Sequence, residues 1–255
     1  MQNKLPHDEI VPFKDSESTK KKQVAEMFNQ IAFRYDFLNR FLSMGIDKGW
    51  RRKAIRLLKP LQPKRVLDVA TGTGDVAILT WKMLKPTEII GIDISEGMLD
   101  FGRKKLKTKG LEKYIRLESG DSETINHPDN SFDAVTVAFG VRNFEDLEKG
   151  LREMNRVLRP GGQLIVLEFS KPKTGGFRNL YNFYMGLVAP QFGKLFSKSR
   201  EAYQYLNDSV KAFPEGPDFI TILNKTGYCD TAMKPLSLGI CTIYSGKKPS
   251  TPVSS

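Results

Sequence analysis

The clearest chemical signal is a glycine-rich turn between an apolar run and an amphipathic segment, Asp68-Val69-Ala70-Thr71-Gly72-Thr73-Gly74-Asp75. This setting predicts that the turn joins a strand to a helix. Glycines at such a turn let a ligand approach the backbone closely, and open α/β sheets bind ligands beyond the carboxyl ends of their strands. The turn therefore predicts a nucleoside-binding site.

The spacing of the turn leaves two cofactors open. Gly72, Gly74 and Ala77 satisfy the dinucleotide fingerprint, and Asp93 follows at the distance expected of a ribose ligand. A dinucleotide, however, would place an anionic pyrophosphate over the turn, where the carboxylate of Asp68 would repel it. S-adenosylmethionine instead brings a cationic sulfonium and an ammonium, which Asp68 would attract.

Two more acidic residues lie at predicted strand ends. Asp93 can accept hydrogen bonds from ribose hydroxyls, and Asp121, followed by Ser122, can accept one from an adenine amino group. Each carboxylate alone is equally compatible with a helix cap or a solvated loop. Together with Asp68 and the glycine turn, they favour S-adenosylmethionine over NAD.

An alternating α/β fold would bring these residues together. Short apolar runs alternate with helical patterns, at residues 65–70, 89–93, 115–117, 134–139 and 163–169. That alternation indicates βαβ units with right-handed crossovers and a parallel sheet. Ser95 is placed to cap a helix that ends at Gly110.

The end of the chain has a different pattern. A helical pattern ends before Pro160-Gly161-Gly162, and this segment is predicted to end the helix and to precede strand five. A helix at residues 217–225 precedes two strand-like runs, at 228–235 and 240–245, which predict an antiparallel hairpin that closes the sheet.

We predict a single domain with polar tails. Residues 1–20 and 248–255 are predicted to be disordered, and residues 21–247 to form the domain, with a helical lid at 21–60 and a helical insertion at 171–212.

Bulk composition limits the cellular setting. The net charge of +11, to which the Lys20-Lys21-Lys22 and Arg51-Arg52-Lys53 blocks contribute, suits an anionic partner or surface, and equally a solvated basic face. Cys229 and Cys241 lack metal-ligand spacing, so we expect both in the core, no metal, and a reducing cytoplasm. No apolar run has the length of a membrane span, which predicts at most a peripheral position on the inner face of the membrane.

Three stretches resemble motifs of one enzyme family: Tyr35-Asp36-Phe37-Leu38-Asn39, Phe139-Gly140-Val141-Arg142-Asn143, and residues 156–170. On these motifs, residues 22–247 resemble the C-methyltransferases of ubiquinone and menaquinone synthesis. The resemblance implies a Rossmann-like class I methyltransferase fold, with a mostly parallel seven-stranded sheet, a C-terminal antiparallel hairpin, and helical additions at the N-terminus and after strand five.

The resemblance also carries over cofactor residues. It places Thr73 in the turn, Asp93 at the ribose, and Asp121 with Ser122 at the adenine. This chain departs from the family pattern with Ala138, where many relatives have a serine, and with Asp47, where the signature usually has histidine.

Methyl transfer from a sulfonium needs alignment rather than a covalent nucleophile, and His7 and His127 look peripheral. The acceptor hydroxyl, with an ordinary pKa of about 10, must instead lose a proton. We hypothesise that Arg142 stabilises the phenolate or orients a water, that Asn143 and Tyr35 position the ring, and that Asp36 is a lesser candidate base. The alternative is a structural Arg142 paired with Glu145 or Asp146.

The implied acceptor is a prenylated demethylmenaquinol, converted to menaquinol. Alternative acceptors are a ubiquinone-pathway benzoquinol, another small molecule or a nucleic acid. A non-catalytic nucleotide-binding module or an NAD oxidoreductase is a further alternative. Nucleic acid is disfavoured because the chain lacks an Asn/Asp-Pro-Pro-aromatic motif. Apolar stretches at residues 27–44 and 177–196 could form a groove for the prenyl tail beside a membrane, and a homodimer is compatible with the sequence.

Overall fold

The computed structural model describes residues 5–42, 45–171 and 200–250, with side chains described outside 33–42 and 200–203. Within these residues a seven-stranded sheet has the order β3-β2-β1-β4-β5-β7-β6. Its strands are β1 (Arg65–Val69), β2 (Glu88–Asp93), β3 (Ile115–Ser119), β4 (Phe132–Ala138), β5 (Leu158–Phe169), β6 (Cys229–Leu236) and β7 (Cys241–Lys247). Strand β7 is antiparallel to both neighbours, and the other pairs are parallel. The predicted parallel sheet with a closing antiparallel hairpin is confirmed.

Helices cover both faces of the sheet. The described helices are α1 (Lys20–Leu42), α2 (Asp47–Arg56), α3 (Asp75–Leu84), α4 (Glu96–Lys109), α5 (Leu147–Val157), α6 (Arg200–Ala212) and α7 (Pro217–Lys225). Short 3₁₀ turns occur at Pro6–Glu9, Lys59–Leu61, Val141–Asn143 and Ser237–Gly239.

Local sequence signals explain where α4 begins and ends. The Ser95 hydroxyl accepts a hydrogen bond from the backbone N–H of Met98 (3.3 Å), which satisfies a donor that the first helical turn leaves unpaired. Gly110 ends the helix at φ +63°, a conformation that costs glycine little. Both predicted boundaries are confirmed.

The Pro160-Gly161-Gly162 segment differs from its prediction. Helix α5 ends at Val157, and the segment lies inside β5 rather than before it. Gly161 N–H donates to the carbonyl of Lys248 (2.9 Å), and Lys248 N–H donates to the carbonyl of Gly162 (2.9 Å). These bonds extend the hydrogen-bond ladder between β5 and β7 beyond the apolar residues of β5. The apolar pattern alone therefore predicted a start for β5 that is too late in the sequence.

The sheet is buried on both faces. Neighbouring residues of β1, Val66 and Leu67, are both fully buried and belong to different apolar clusters. The Leu67 cluster includes side chains of α5 and α7, and the Val66 cluster includes side chains of α2, α3 and α4. Burial on both faces explains the continuous apolar runs of the central strands.

Residues 5–19 differ from the disordered tail that we expected up to about residue 20. Ile10 and Phe13 pack against a small cluster formed by Val24, Met27 and Tyr205. His7, expected to be peripheral, is fully buried, and Lys20 Nζ donates to its carbonyl oxygen (2.6 Å). Apolar residues scattered among polar ones therefore anchor this segment without helical or strand periodicity.

Several other predictions can be placed. Cys241 is buried as expected, whereas Cys229 is partly exposed because it begins the outer strand β6. Residues 177–196 and 251–255 lie outside the described residues, and the proposed division into one domain and two tails stays a prediction. In the described part of the chain, no helix combines the length and apolar character needed to cross a bilayer.

Candidate active site

A cavity of about 640 Å³ collects most of the predicted cofactor residues at the carboxyl ends of the parallel strands. The sheet side of this main cavity includes Gly72, Asp93, Asp121 and Ser122, and helix α1 contributes Lys21, Val24 and Phe28. The adjacency of β1, β2 and β3 thus brings together residues that are up to 50 positions apart in the sequence.

A smaller cavity of about 340 Å³ adjoins the first one. Its lining includes Asp68 and Thr73, and it shares Ala70, Gly72 and Ala138 with the main cavity. The two cavities therefore meet at the glycine turn, where Gly72 has a φ of +56° and Gly74 a φ of +76°. The arrangement suits a ligand with a nucleoside part and a second, polar part.

Asp93 connects the turn to the next strand. Its Oδ2 accepts the backbone N–H of Gly72 (2.8 Å), and its Oδ1 accepts that of Ser95 (2.9 Å). Burial raises the pKa of Asp93, and these two N–H groups oppose the rise. Each carboxylate oxygen can still accept a further bond, so the side chain is fixed and able to accept hydroxyl donors.

Asp68 is almost completely buried and lines the smaller cavity. Its two oxygens accept hydrogen bonds from the hydroxyls of Thr71 and Thr136, each 2.6 Å long. Burial raises the pKa of Asp68 to about 6, and the threonine bonds and the charge of Arg51 limit the rise. The carboxylate is therefore held in place and largely ionised at neutral pH.

Asp121 has a cationic partner that the sequence analysis missed. Lys21 Nζ lies 2.5 Å from Oδ2 of Asp121 and 3.1 Å from Oε2 of Glu123. The Lys20-Lys21-Lys22 block was interpreted as a site for an anionic partner or as a solvated basic face, because nothing in the sequence shows where α1 lies on the sheet. Lys21 thus ties α1 to the predicted adenine end of the main cavity.

Asn29 provides a second tie between α1 and the sheet edge. Its Oδ1 accepts hydrogen bonds from the Ser95 hydroxyl (2.8 Å) and from the Gly97 backbone N–H (2.9 Å). These donors lie at the start of α4, directly after Asp93. Helix α1 is consequently held against the main cavity, and the role of residues 21–60 as a lid stays a prediction.

Arg142 and Asn143 follow β4 but have different surroundings. Arg142 is buried, and its Nη1 donates to the Phe139 carbonyl (2.6 Å) and to Oε1 of Glu168 (2.7 Å). The suggested pairing with Glu145 or Asp146 is wrong. The partner is on β5, because β5 lies beside β4 in the sheet.

Asn143, rather than Arg142, is among the residues that line the main cavity. Its Oδ1 accepts a hydrogen bond from the Tyr205 hydroxyl (3.1 Å), which comes from α6. Burial raises the pKa of Glu168, and the charge of Arg142 opposes the rise. The buried ion pair therefore supports the turn that carries Asn143.

The remaining predicted residues can be placed in part. Tyr35 and Asp36 belong to α1, but their side chains lie outside those that the structure describes. The hydroxyl of Thr73 accepts a hydrogen bond from Lys105 Nζ (2.9 Å). Asp47 is buried, with its Oδ2 3.5 Å from Nε of Arg51. In the described ranges, no group of three or more His, Cys, Asp or Glu residues could hold a metal ion.

The strand order, the antiparallel final strand and the glycine turn after β1 define a class I methyltransferase. The family model of the ubiE/COQ5 methyltransferase family matches residues 16–248, and the chain belongs to that family. The family resemblance and the fold class that it implied are confirmed.

Individual relatives cover nearly the whole chain. The chain is 46% identical over 243 residues to a protein of Bacteroides fragilis named demethylmenaquinone methyltransferase, covering 95% of this chain and 99% of that protein. It is also 46% identical over 230 residues to a ubiquinone/menaquinone biosynthesis C-methyltransferase of Geobacter sulfurreducens, covering 90% of each.

A solved structure shares the fold at much lower sequence identity. Phosphoethanolamine N-methyltransferase 2 of Haemonchus contortus, in complex with S-adenosyl-L-methionine, superposes with a TM-score of 0.63 at 14% identity. The match covers 93% of this chain and 61% of the other. At this identity the likeness shows the fold alone.

Proposed function

We propose that the chain transfers a methyl group from S-adenosylmethionine to a ring carbon of a prenylated demethylmenaquinol, giving menaquinol. The observation that carries the proposal is the pair of adjoining cavities, in which Asp68, Asp93 and Asp121 lie at three neighbouring strand ends. The names of the relatives support the acceptor. A ubiquinone-pathway benzoquinol is the alternative acceptor, supported by the name of the Geobacter relative.

The two cavities divide the cofactor between them. Asp93 would accept the ribose hydroxyls, and Asp121 with Ser122 would hold the adenine edge. Asp68 would attract the ammonium and sulfonium charges across the turn formed by Gly72, Thr73 and Gly74. A dinucleotide would place its pyrophosphate at the same turn, against the buried carboxylate of Asp68.

The cofactor supplies an activated methyl group, and the chain must align and activate the acceptor. We propose that Asn143, which lines the main cavity, hydrogen-bonds the acceptor hydroxyl. Glu168 pairs with Arg142 and partly neutralises its charge. We propose that Arg142 acts on the phenolate in two ways: its remaining positive potential stabilises the negative charge, and its contacts fix the turn that carries Asn143. The positioning role of Tyr35 and the lesser role of Asp36 as a base stay predictions.

Two partner proposals accompany the reaction. The substrate carries a prenyl tail, so we propose a peripheral contact with the inner face of the membrane, supported by the basic charge of the chain. Homodimer formation and the absence of a nucleic-acid partner likewise stay predictions.

Methyl transfer can be measured with isotope-labelled S-adenosylmethionine and, in parallel reactions, reduced demethylmenaquinone or a reduced ubiquinone-pathway benzoquinol, followed by mass analysis of the quinone. We expect one labelled methyl on the ring with the reduced acceptor and none with the oxidised form, because only the quinol yields an electron-rich carbon. Asp93→Asn should lose most of this activity, and Arg52→Gln, an exposed change on α2, should retain it. Label found only in a benzoquinol would support the alternative acceptor, and no label in either would contradict the proposal.

A further inference from the structure

Arg51 brings a positive charge to the smaller cavity from outside the sheet. It lies on α2, its side chain is 11% exposed, and it lines this cavity together with Asp68, Gly72 and Thr73. Its guanidinium carbon lies 5.8 Å from the centre of the Phe139 ring. In the sequence, Arg51 stands out only as part of the basic Arg51-Arg52-Lys53 block, because the glycine turn gives no sign of a residue contributed by α2.

The contacts of Arg51 with protein carboxylates are long. Its Nε lies 3.5 Å from Oδ2 of Asp47, and its Nη1 lies 3.7 Å from Oδ2 of Asp75. The Nε–H is buried and has no hydrogen-bond partner. Buried donors are rarely left unpaired, so this one indicates either strain or a ligand that satisfies it.

We propose that Arg51 binds the carboxylate of the methionine part of S-adenosylmethionine. The inference rests on the proposed function and deepens it by naming a partner for the carboxylate of the cofactor, which the acidic side chains at the strand ends would repel. The methionine part carries an ammonium and a carboxylate, and the predicted cofactor residues offer it no cation. A guanidinium matches a carboxylate in shape and charge, so Asp68 and Arg51 would bind the two ends of the zwitterion.

Lys105 is the nearby cation that could take this role instead. Its Nζ donates to the Thr73 hydroxyl (2.9 Å) and to Oδ1 of Asp75 (2.7 Å), which engages its charge on the protein. Arg51 has the longer ion pairs and the unpaired donor, and it lines the smaller cavity itself. The geometry therefore favours Arg51.

The rival explanation is purely structural: Arg51 would only pair with Asp47 within α2 and hold α2 against α3 through Asp75. Two ligands separate these roles. S-adenosylhomocysteine carries the carboxylate, and its decarboxylated analogue, the adenosyl thioether of 3-aminopropanethiol, has the same adenosine, sulfur and amine without it. A structural Arg51 would affect both ligands equally.

The test is titration calorimetry of both ligands with the wild-type protein, Arg51→Gln, Arg51→Lys and the control Arg52→Gln. Arg52 is the exposed neighbour on the same helix. We expect Arg51→Gln to weaken S-adenosylhomocysteine about 10- to 100-fold, the effect of losing a hydrogen-bonded charge pair, and to leave the analogue within about twofold. The affinity of Arg51→Lys for S-adenosylhomocysteine should lie between those of the wild type and Arg51→Gln, and the affinity of Arg52→Gln should match that of the wild type.

Equal weakening of both ligands, or no weakening of either, would overturn the role of Arg51. If Arg51→Gln does not fold, as judged by circular dichroism, Arg51→Lys decides. The proposal then requires the affinity for S-adenosylhomocysteine, divided by that for the decarboxylated analogue, to be lower in Arg51→Lys than in the wild type. If the wild-type protein binds neither ligand, the proposed function itself fails. Binding of both ligands with an unchanged ratio in the variants would refute only the inference about Arg51.

Discussion

The buried, ionised carboxylate of Asp68 lowers the free energy of unfolding, and we propose that it also binds the cofactor. Asp68→Asn tests both effects, because unfolding and ligand affinity can be measured separately in the same variant. The amide keeps the size of the side chain. The hydroxyls of Thr71 and Thr136 can donate or accept, so they can remain bonded to the amide after rotating. The main change is therefore the loss of a charge beside the glycine turn.

The size of the effect follows from the pKa of Asp68, which burial raises from 3.8 to about 6. Each unit corresponds to about 1.4 kcal/mol, so the ionised carboxylate lowers the free energy of unfolding by about 3 kcal/mol above pH 6. Since the folded form keeps its proton to higher pH than the unfolded form, this contribution lowers stability as pH rises from about 4 to 6. Asp68→Asn should raise the free energy of unfolding at pH 8 by up to about 3 kcal/mol.

Urea unfolding followed by circular dichroism at pH 5 and pH 8 measures this effect. The gain from Asp68→Asn should be about 1.4 kcal/mol larger at pH 8 than at pH 5, because Asp68 is already mostly protonated at the lower pH. Subtracting the wild-type curve removes the contribution of other groups, and Glu112→Gln, an exposed change between α4 and β3, controls for the loss of a carboxylate charge.

The same variant should bind S-adenosylhomocysteine at least about 10-fold more weakly, because the ammonium loses its charged partner. A variant that is less stable than the wild type at pH 8, or a gain that is equal at both pH values, would refute the assignment of a buried charge. Unchanged affinity would refute its role in binding.

Three further predictions, each with its own variants, test other parts of the structure by urea unfolding. Burial and the charge of Lys20 lower the pKa of His7 from 6.5 to about 3, so stability should fall as pH drops below 6.5, and His7→Phe should remove part of that fall. An equal fall in the variant would contradict this. Gly91→Ala would bring a Cβ within 2.6 Å of Leu117 and 2.7 Å of Thr71, and should destabilise by about 1–3 kcal/mol. In Gly49→Ala the added Cβ on α2 has no neighbour within 4 Å, so this control should stabilise the protein by about 0.5–1 kcal/mol. A Gly91→Ala variant more stable than Gly49→Ala would be inconsistent with the packing. Glu168→Gln leaves a buried charge unpaired and should cost about 3–5 kcal/mol, whereas the double variant Arg142→Met/Glu168→Leu should cost less than the single change, and a larger cost would argue against the ion pair.

Sequence reasoning succeeded where a local pattern has one structural solution. Ser95 and Gly110 fixed the ends of α4, because a capping hydroxyl and a left-handed glycine act within one helical turn. The apolar runs that contain Asp68 and Asp93 near their carboxyl ends placed both carboxylates at one edge of the sheet. Parallel strands align these ends, so the contact between Asp93 and the glycine turn follows from the fold class.

It failed where contacts depend on how distant segments dock. The sequence suggested the nearest acids as partners of Arg142, but the adjacent strand supplies Glu168. Lys21 and Arg51 looked like ordinary surface charge, since their roles depend on where α1 and α2 lie against the sheet. The order of β4 and β5 could have revealed the first contact, whereas no pattern in the sequence indicates the other two.

The central claim is that the acidic strand ends select a cationic methyl donor over a pyrophosphate cofactor. Titration calorimetry of the wild-type protein with S-adenosylmethionine, S-adenosylhomocysteine and NADH tests this most directly. The account predicts saturable binding of the first two and none of NADH at equal concentrations. Binding of NADH without binding of either methionine-derived ligand would contradict it.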